Sequence, residues 1–267
     1  LNDSVGQLDS FFPECIFFKT TNKLQKFLDH CNQKKKVDFL TICTPNYLHK
    51  EHIMLGLKNN MDVICEKPLV LNIEDISYLK SVEKRSNKKV YTILQLRLMP
   101  EMINLKKKIS NTKIKQNVSL KYITARGDWF FKSWKGKIEY SGGIATNIGI
   151  HFFDLLIWIF GKVNAFKINY YDKYTLSGTL DLDKANVNWL LSLNKKHLPL
   201  DYQAKNKTTY RSLKIKNKEF EFSKNFTNLH DLSYKKILDN NGFRISEAEY
   251  SIKLCSKIRS EINKNYR

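Results

Sequence analysis

Cysteine is sparse in this sequence and forms no pattern. The five cysteines are odd in number, and no two of them have the C-x-x-C spacing of zinc and redox motifs. Cys43 and Cys65 lie in apolar, strand-like runs, where a free thiol behaves as a small hydrophobic side chain. This usage indicates neither a disulfide framework nor a bound metal, and it favours a reducing, cytoplasmic compartment.

Long apolar runs and targeting signals are also missing. The longest apolar stretch, Ile148 to Phe160, contains His151 and Asp154 and is too short to span a bilayer. No signal peptide or transit sequence is visible. With 42% hydrophobic residues, the 267 residues can still bury a substantial core and form two domains. We expect a soluble protein with no membrane partner.

Acidic residues are few, so the chain is strongly basic. There are 26 Asp and Glu against 46 Lys and Arg, which gives a formal net charge of +20. A nucleic acid, a membrane surface or an anionic substrate can each be the partner of such a chain. The lysines are scattered, however, and the abundance of Lys, Asn and Ile indicates an AT-rich coding bias. We expect no nucleic-acid partner, whereas the positive field favours a multiply charged anion such as a nucleotide sugar.

The first part of the sequence alternates strand and helix patterns. Continuous apolar runs at 37–43, 62–65 and 90–96 are typical of parallel strands buried on both faces. Helical patterns follow them, at 49–59, in a segment capped by Asn72, and at 101–109. This alternation implies right-handed crossovers and a doubly wound parallel sheet.

The pattern changes after residue 97. Strand-like segments with short turns follow at 118–126, 165–171, 176–182, 185–193, 210–215 and 219–222, with helices at 147–160 and 245–263. We therefore predict an α/β chain of two domains. Residues 1–97 form a Rossmann-type doubly wound parallel sheet, and residues 98–267 form an α+β domain with a mostly antiparallel sheet.

Glu66-Lys67-Pro68 follows directly on the second predicted strand. Open α/β sheets bind their ligands beyond the carboxyl ends of the strands, which is where Lys67 stands. The proline fixes the backbone, so the ammonium is presented from a stiff turn. Alone, the motif is more typical of a surface turn with a salt-bridged lysine.

A second polar group lies on a predicted apolar helix. At about 100° per residue, Asn147, His151, Asp154 and Trp158 share one stripe of the helix 147–160. Burying these polar groups without partners is costly, so they either satisfy one another or face a pocket. An isolated histidine on such a helix is more often a satisfied core residue. In a pocket, His151 is a candidate general base near neutral pH.

The E-K-P turn, the polar residues of the predicted helix 147–160 and the sequence motifs around them resemble those of the Gfo/Idh/MocA family of NAD(P)-dependent sugar oxidoreductases. E-K-P after a strand and then G-G-x-x-x-N-x-x-x-H-x-x-D in a sheet domain carry the family resemblance. Longer strings resemble one branch, the UDP-N-acetyl-2-amino-2-deoxyglucuronate 3-dehydrogenases. They are CTPNYLH at 43–49, ICEKPLV at 64–70, TILQLR at 92–97, RGDWFFKSWKG at 126–136, TNIGIHFFD at 146–154, TYRS at 209–212 and LHDLSY at 229–234.

The resemblance implies an activity, a cofactor and an assembly. It implies NAD-dependent oxidation of the C3 hydroxyl of a UDP-linked N-acetylated amino-sugar uronate, in lipopolysaccharide O-antigen sugar biosynthesis, by a cytoplasmic homotetramer. Lys67 and His151 match the catalytic pair, and their roles as base and alkoxide stabiliser can be exchanged. The positions that match the cofactor site are Thr44, Pro45, Asn46, His49, Glu66, Lys67 and Gln95.

Substrate contacts are predicted from the motif strings alone. The positions are Lys67, Arg126, Lys132, Trp134, Asn147, His151 and Tyr210. The segment 126–137 can also be an exposed basic loop with aromatic anchors, but the surrounding motif matches favour substrate contact. Aromatic and cationic side chains are also what a uracil ring and a pyrophosphate require, through stacking and charge-assisted hydrogen bonds.

Glycine is too sparse to supply one expected element. Ten glycines occur, and none of them has the G-x-G-x-x-G spacing of a dinucleotide-binding turn. The sequence begins at Leu1 without methionine, and its first residues resemble those that follow the second strand in the branch. We therefore expect a chain that lacks its first β-α-β unit, with Asn2 and Asp3 near the adenosine ribose. Other sugars or inositol as substrates, and a non-catalytic nucleotide-sugar-binding role, remain alternatives.

Overall fold

The computed structural model describes residues 11–16, 18, 20–34, 37–222 and 228–265. The chain divides into two compact units, Leu1–Asp38 and Phe39–Arg267. The first unit contains helix α1 (Thr21–Lys34), and the ring of Phe27 lies 4.9 Å from that of Phe18. Asn2 and Asp3 lie outside the described residues. The domain boundary between residues 97 and 98 stays a prediction.

The second unit opens with a three-stranded parallel sheet. Its strands β1 (Phe39–Ile42), β2 (Asp62–Cys65) and β3 (Val90–Thr92) are neighbours in that order. Helix α2 (His49–Lys58) connects the first two strands and α3 (Glu74–Ser86) the next two. Val63 and Val90, paired across the sheet, are fully buried, as expected of parallel strands covered on both faces. The predicted Rossmann-type parallel sheet is confirmed.

The rest of the chain forms a larger sheet covered by helices. The elements, in chain order, are α4 (Pro100–Ser110), β4 (Gln116–Thr124), α5 (Trp129–Lys132), α6 (Ile138–Ser141), α7 (Gly143–Asn147), α8 (Ile150–Phe160), β5 (Val163–Tyr171), β6 (Thr175–Leu182), β7 (Ala185–Ser192), α9 (Leu200–Ala204), β8 (Thr209–Ile215), β9 (Lys218–Glu221), α10 (Leu229–Leu238) and α11 (Ile245–Asn265). The six strands lie in the order β5-β6-β7-β4-β8-β9. All neighbours are antiparallel except β4 and β7, so the predicted mostly antiparallel sheet is confirmed.

One face of this sheet packs against α8. The ring of Phe152 lies 5.3 Å from that of Tyr122 on β4, and the ring of Phe153 lies 5.3 Å from that of Trp189 on β7. Side chains alternate between the two faces of a strand, and directly paired residues share a face. Tyr122 pairs with Arg211 on β8, so Arg211 lies on the α8 face of the sheet.

Three local predictions are wrong. The third strand ends at Thr92 rather than Leu96, because Leu94 leaves the extended region and residues 95–98 form a 3-10 turn. Asn72 does not cap α3, which Ile73 precedes in helical conformation. The Asn72 side-chain oxygen instead accepts a hydrogen bond of 3.2 Å from Arg259 Nη2.

The third wrong prediction is the continuous helix 147–160. It is broken between α7 and α8, where Gly149 passes so close to the preceding turn that an added Cβ would lie 2.5 Å from the Ala145 carbonyl oxygen. Asn147 and His151 therefore belong to different helices. In the described part of the chain no single helix is long and apolar enough to cross a membrane; one pair, Ile138–Asn147 with Ile150–Phe160, bent by 45°, passes that test together.

Candidate active site

Lys67 lies directly beyond the carboxyl end of β2, where the sequence predicts it. Its Nζ donates a hydrogen bond of 3.2 Å to the backbone carbonyl oxygen of Asn147, the last residue of α7. Burial lowers the pKa of Lys67 to about 8, against the raising effect of the Glu66 carboxylate and together with the positive charges of Lys135, Arg126 and Arg211. At neutral pH the ammonium is therefore mostly charged and still able to release its proton.

His151 is the second residue of α8, and its ring shares a small cavity with Lys67 and Asp154. Burial holds the pKa of His151 well below its usual value, and the charges of Lys67, Arg211 and His230 lower it further. Its imidazole makes no hydrogen bond to any described residue. A neutral ring with an uncommitted nitrogen beside an ammonium is suited to accept a proton.

Asn147 reaches the same place although it is not on the helix of His151. Its backbone oxygen accepts from Lys67, and its Nδ2 donates a hydrogen bond of 3.2 Å to the carbonyl oxygen of Lys135. The break at Gly149 thus turns a predicted stripe on one helix into two helix ends that face Lys67.

Asp154, the third polar residue of the predicted stripe, is satisfied by a partner on the 3-10 turn 95–98. Arg97 donates from Nε to Oδ2 across 2.8 Å and from Nη2 to Oδ1 across 2.7 Å. Arg97 also donates to the backbone oxygen of Glu247 across 3.0 Å. The Arg97 and Asp154 side chains are 6% and 4% exposed, so this is a buried bidentate ion pair. The role of this ion pair is structural, because it holds α8, which carries His151, against the turn after β3.

The loop after β1 is held by its own side chains. His49 is fully buried, with Nδ1 2.7 Å from the Pro68 carbonyl oxygen and Nε2 2.9 Å from that of Thr44. Asn46 is also buried, and its Nδ2 donates a hydrogen bond of 3.0 Å to the Ser141 carbonyl oxygen. His49 and Asn46 therefore support the loop, whereas Thr44 and Pro45 are partly exposed along it. The roles of all four in cofactor binding stay predictions.

Glu66 and Gln95 follow the other two strands of the parallel sheet. Glu66 Oε1 lies 3.1 Å from His230 Nε2 on α10. Gln95 is 4% exposed, and its Oε1 is buried with no hydrogen-bond partner in the described part of the chain. Such an unpaired acceptor is costly, so it marks a place where a ligand donor fits. Thr44, Glu66 and Gln95 thus lie beyond the ends of three adjacent strands, at the edge where open sheets bind dinucleotides.

The basic aromatic loop brings part of the predicted substrate set to the site. The Arg126 guanidinium lies 5.7 Å from the centre of the Trp129 ring, and its Nε is buried without a partner among the described residues. Lys135 Nζ lies 5.5 Å from the Trp129 ring and 5.8 Å from the ring of Trp134. Lys132 is exposed at the end of α5, and its ammonium makes no ion pair with described residues. Its role stays a prediction.

Tyr210 is not brought together with Lys67 and His151. It pairs with Ile123 across β4 and β8, so it lies on the face of the sheet opposite α8. Its ring packs 5.0 Å from that of Tyr202, and its hydroxyl donates to Glu219. Burial and this hydrogen bond raise the pKa of Tyr210 to about 12. Its role in substrate binding stays a prediction that this position does not favour.

Sequence reasoning missed Arg211, Lys135 and His230. All three carry positive charge or a titratable ring close to Lys67 or His151. A signal for Arg211 was present: it has the same parity along β8 as the buried Leu213 and Ile215, which marks it as inward-facing. No comparable periodic signal exists for Lys135, on the 3-10 turn 134–136, or for His230, at the start of α10.

The electrostatic character of the site follows from these positions. Arg126, Lys135 and Arg211 all act on Lys67, and the four are here called the cationic group; Glu66 is the acid among the groups that act on Lys67. A cavity of about 480 Å³ adjoins Lys135 and is lined also by Phe131, Tyr171 and Lys173. Within the described residues no group of three or more His, Cys, Asp or Glu side chains could hold a metal. The arrangement suits a polyanion with an aromatic portion.

Two family models match the chain. Residues 11–93 match the NAD-binding Rossmann fold of the Gfo/Idh/MocA oxidoreductase family. Residues 106–198 match the C-terminal alpha/beta domain of the same family. A curated relative, the putative oxidoreductase YteT of Bacillus subtilis, is 31% identical over 138 residues, which are 50% of this chain and 32% of that protein. The chain therefore spans about a third of the length of that curated relative.

A solved structure is similar over nearly the whole chain. The WlbA (WbpB) dehydrogenase of Thermus thermophilus, in complex with NAD and α-ketoglutarate, is 40% identical with a TM-score of 0.93, covering 97% of this chain and 84% of that one. In its complex with NAD and UDP-GlcNAcA the values are 40% and 0.92, with 96% and 83% covered. These matches, and the two family models, show that the chain belongs to the Gfo/Idh/MocA oxidoreductase family.

Proposed function

We propose that this protein oxidises the C3 hydroxyl of a UDP-linked N-acetylated amino-sugar uronate, UDP-GlcNAcA, with NAD as cofactor. One observation carries the proposal: at neutral pH Lys67 is mostly charged while His151, close to it, is neutral. The other members of the cationic group lie near this pair. The similar Thermus thermophilus dehydrogenase supports it, because its complexes contain NAD together with UDP-GlcNAcA or α-ketoglutarate. Both of these partners of NAD are carboxylates, which a cationic site favours.

The residues at the sheet edge suit NAD. Gln95 Oε1 is a buried acceptor without a donor among the described residues, and a carboxamide N–H is a matching donor. Thr44 and Pro45 line the edge after β1, and Glu66 lies after β2. A pyrophosphate-binding G-x-G-x-x-G turn is not part of the 267-residue sequence. When bound, NAD accepts the hydride that leaves C3.

The chain's own residues perform the proton chemistry. His151 accepts the C3 hydroxyl proton on a ring nitrogen, which is available because burial and neighbouring cations keep the imidazole neutral. Lys67 places its ammonium beside the same oxygen and stabilises the negative charge that develops there. The bond from Nζ to the Asn147 carbonyl oxygen aims the ammonium. The reverse assignment, with neutral Lys67 as the base, predicts the opposite dependence on pH and is therefore separable.

The remaining substrate contacts follow from charge and shape. Arg126 and Lys135 stand beside Trp129, so they are suited to the pyrophosphate and its neighbouring base. The adjoining cavity of about 480 Å³ is large enough for a nucleotide portion. We also propose a cytoplasmic role in O-antigen sugar biosynthesis and a homotetramer packed through the six-stranded sheets. The mass of the particle in solution tests the assembly.

Replacement of Lys67 tests the proposed reaction. Lys67→Ala is expected to reduce NADH formation from UDP-GlcNAcA by about a hundredfold or more, since removal of a transition-state charge contact costs that much. A matched control is Lys115→Ala, because Lys115 forms an ion pair with Asp181 at the exposed start of β4. The control is expected to retain full turnover. Near-normal turnover of the Lys67 variant, or reduction of NAD by inositol or glucose 6-phosphate instead of UDP-GlcNAcA, contradicts the proposal.

A further inference from the structure

We propose that Arg211 is the residue that recognises the carboxylate of the sugar substrate. The inference deepens the proposed function and rests on it, because it assigns to one side chain the choice of a uronate over a neutral sugar. Its chemical basis is the planar guanidinium, whose paired N–H donors match the two oxygens of a carboxylate.

The position of Arg211 is set by β8 and by an aromatic support. Arg211 pairs with Tyr122 across β4 and β8, on the face of the sheet that carries α8. Its guanidinium lies 5.0 Å from the centre of the Tyr122 ring, and its Nη2 lies 3.5 Å from the Tyr122 hydroxyl oxygen. The Tyr122 ring in turn packs 5.3 Å from the ring of Phe152, the residue after His151. Stacking on Tyr122 thus fixes the guanidinium beside the start of α8.

Arg211 differs from Arg126 and Lys135 in the residues whose pKa its charge lowers. The charges of Lys135, Arg126 and Arg211 all lower the pKa of Lys67, but of these three only Arg211 also lowers the pKa of His151. Arg211 is therefore the one that stands near both reacting groups. Arg126 and Lys135 instead lie beside the Trp129 ring.

The chemistry of the substrate makes this difference specific. In a uronate the carboxylate is attached to C5, and only C4 separates that carbon from the reacting C3. The phosphates are attached at C1, which one carbon, C2, also separates from C3, so distance within the ring does not distinguish the two anionic groups. The aromatic rings do: the base that accompanies the diphosphate stacks on an aromatic ring, so Arg126 and Lys135 beside Trp129 are placed for the diphosphate and the base. Arg211, close to both Lys67 and His151, is then placed for the carboxylate.

The test compares two substrates that differ only at this carboxylate. The wild-type protein and two variants are each given UDP-GlcNAcA or UDP-GlcNAc together with NAD. Arg211→Met keeps the bulk of the side chain over Tyr122. Arg211→Lys keeps the positive charge but loses the paired N–H donors of the guanidinium. Arg126→Met is the matched control. Both turnover and the binding of each UDP-sugar by calorimetry are measured, and circular dichroism checks folding.

The expected pattern is selective. Arg211→Met loses about 30- to 100-fold in the preference for UDP-GlcNAcA over UDP-GlcNAc, in kcat/KM and in affinity, as for loss of a charge-assisted pair. Arg211→Lys falls between, and Arg126→Met weakens both substrates equally. An unchanged preference for the acid in Arg211→Met, or an equal loss for both sugars, overturns the inference. If the wild type binds UDP-GlcNAcA selectively without oxidising it, the proposed reaction fails while the binding comparison still decides the role of Arg211.

Discussion

The ammonium of Lys67 donates a hydrogen bond of 3.2 Å to the backbone carbonyl oxygen of Asn147, 80 residues further along the chain. Lys67 follows β2, and Asn147 ends the helix before α8, so the bond joins the parallel sheet to the segment that carries His151. Because the acceptor is a neutral carbonyl, it orients the ammonium without cancelling its charge. A positive charge is thereby held beside a neutral imidazole.

The pH dependence of turnover distinguishes the roles of Lys67 and His151. The pKa of Lys67 is lowered to about 8, chiefly by burial. If the charged form stabilises the alkoxide, kcat/KM for UDP-GlcNAcA falls as the pH rises through about 8. At low pH, kcat/KM is expected to fall again because His151 becomes protonated. This fall is expected below pH 6.5, because the pKa of His151 is held well below that value. A profile that instead rises through about 8 assigns the base to neutral Lys67.

The lowered pKa of Lys67 also makes the stability of the protein depend on pH. The pKa of Lys67 is about 8 when folded, against 10.5 for an ordinary lysine, so between these values the unfolded chain binds a proton that the folded chain has released. The free energy of unfolding therefore gains a contribution that rises with pH across this window. Urea denaturation at several pH values is expected to show a smaller rise for Lys67→Met than for the wild type. Lys115→Met, the exposed control, should leave the slope unchanged; an identical slope in both variants contradicts the lowered pKa.

The buried ion pair of Arg97 and Asp154 is expected to be essential for stability. Asp154→Asn leaves the guanidinium of Arg97 buried without its counter-charge, which costs about 3–5 kcal/mol of unfolding free energy. The matched control is Asp181→Asn, which breaks the exposed pair with Lys115 and is expected to cost less than about 1 kcal/mol. Chemical denaturation measures both. Equal, small losses in the two variants would show that the Arg97 pair does not hold α8 in place.

His49 is expected to act on cofactor binding from a position inside the protein. His49→Ala removes the link between the carbonyl oxygens of Thr44 and Pro68, and so frees the loop after β1 from the loop after β2. We expect the KM for NAD to rise about tenfold or more, with a smaller rise for the UDP-sugar, because misplacement of positioning groups is costly. His52→Ala, which removes a contact with the Thr44 hydroxyl, is the control. A larger effect in the control than in His49→Ala contradicts this role.

Local patterns were sufficient for the parallel sheet and for the position of Lys67. The apolar run 62–65 becomes β2 with the predicted bounds, and the E-K-P turn follows it. The prediction of one helix over 147–160 was wrong because hydrophobic periodicity carries no information about close contacts of the backbone. The added Cβ at Gly149 would lie 2.6 Å from Leu191 on β7, a contact between distant segments that no window of sequence contains.

The substrate side of the site was harder to predict, for two physical reasons. Tyr210 and Arg211 are adjacent in the string TYRS, and which of them faces α8 depends on the register of β8 against β4. A shift of one residue exchanges the two faces. The ion pair between Arg97 and Asp154 joins residues 57 positions apart in the chain. The sequence therefore left open whether Asp154 faces a pocket or has a partner, and the fold gave it one.

Transfer of an isotopic label is the most direct measurement of the central claim. UDP-GlcNAcA carrying deuterium at C3 is incubated with NAD and the protein, and the mass of the reduced cofactor is determined. The proposed reaction predicts that the deuterium from C3 appears in NADH, and that Lys67→Ala and His151→Ala form the labelled product far more slowly than the wild type. Formation of unlabelled NADH, or no reduction with UDP-GlcNAcA while another sugar is oxidised, contradicts the account.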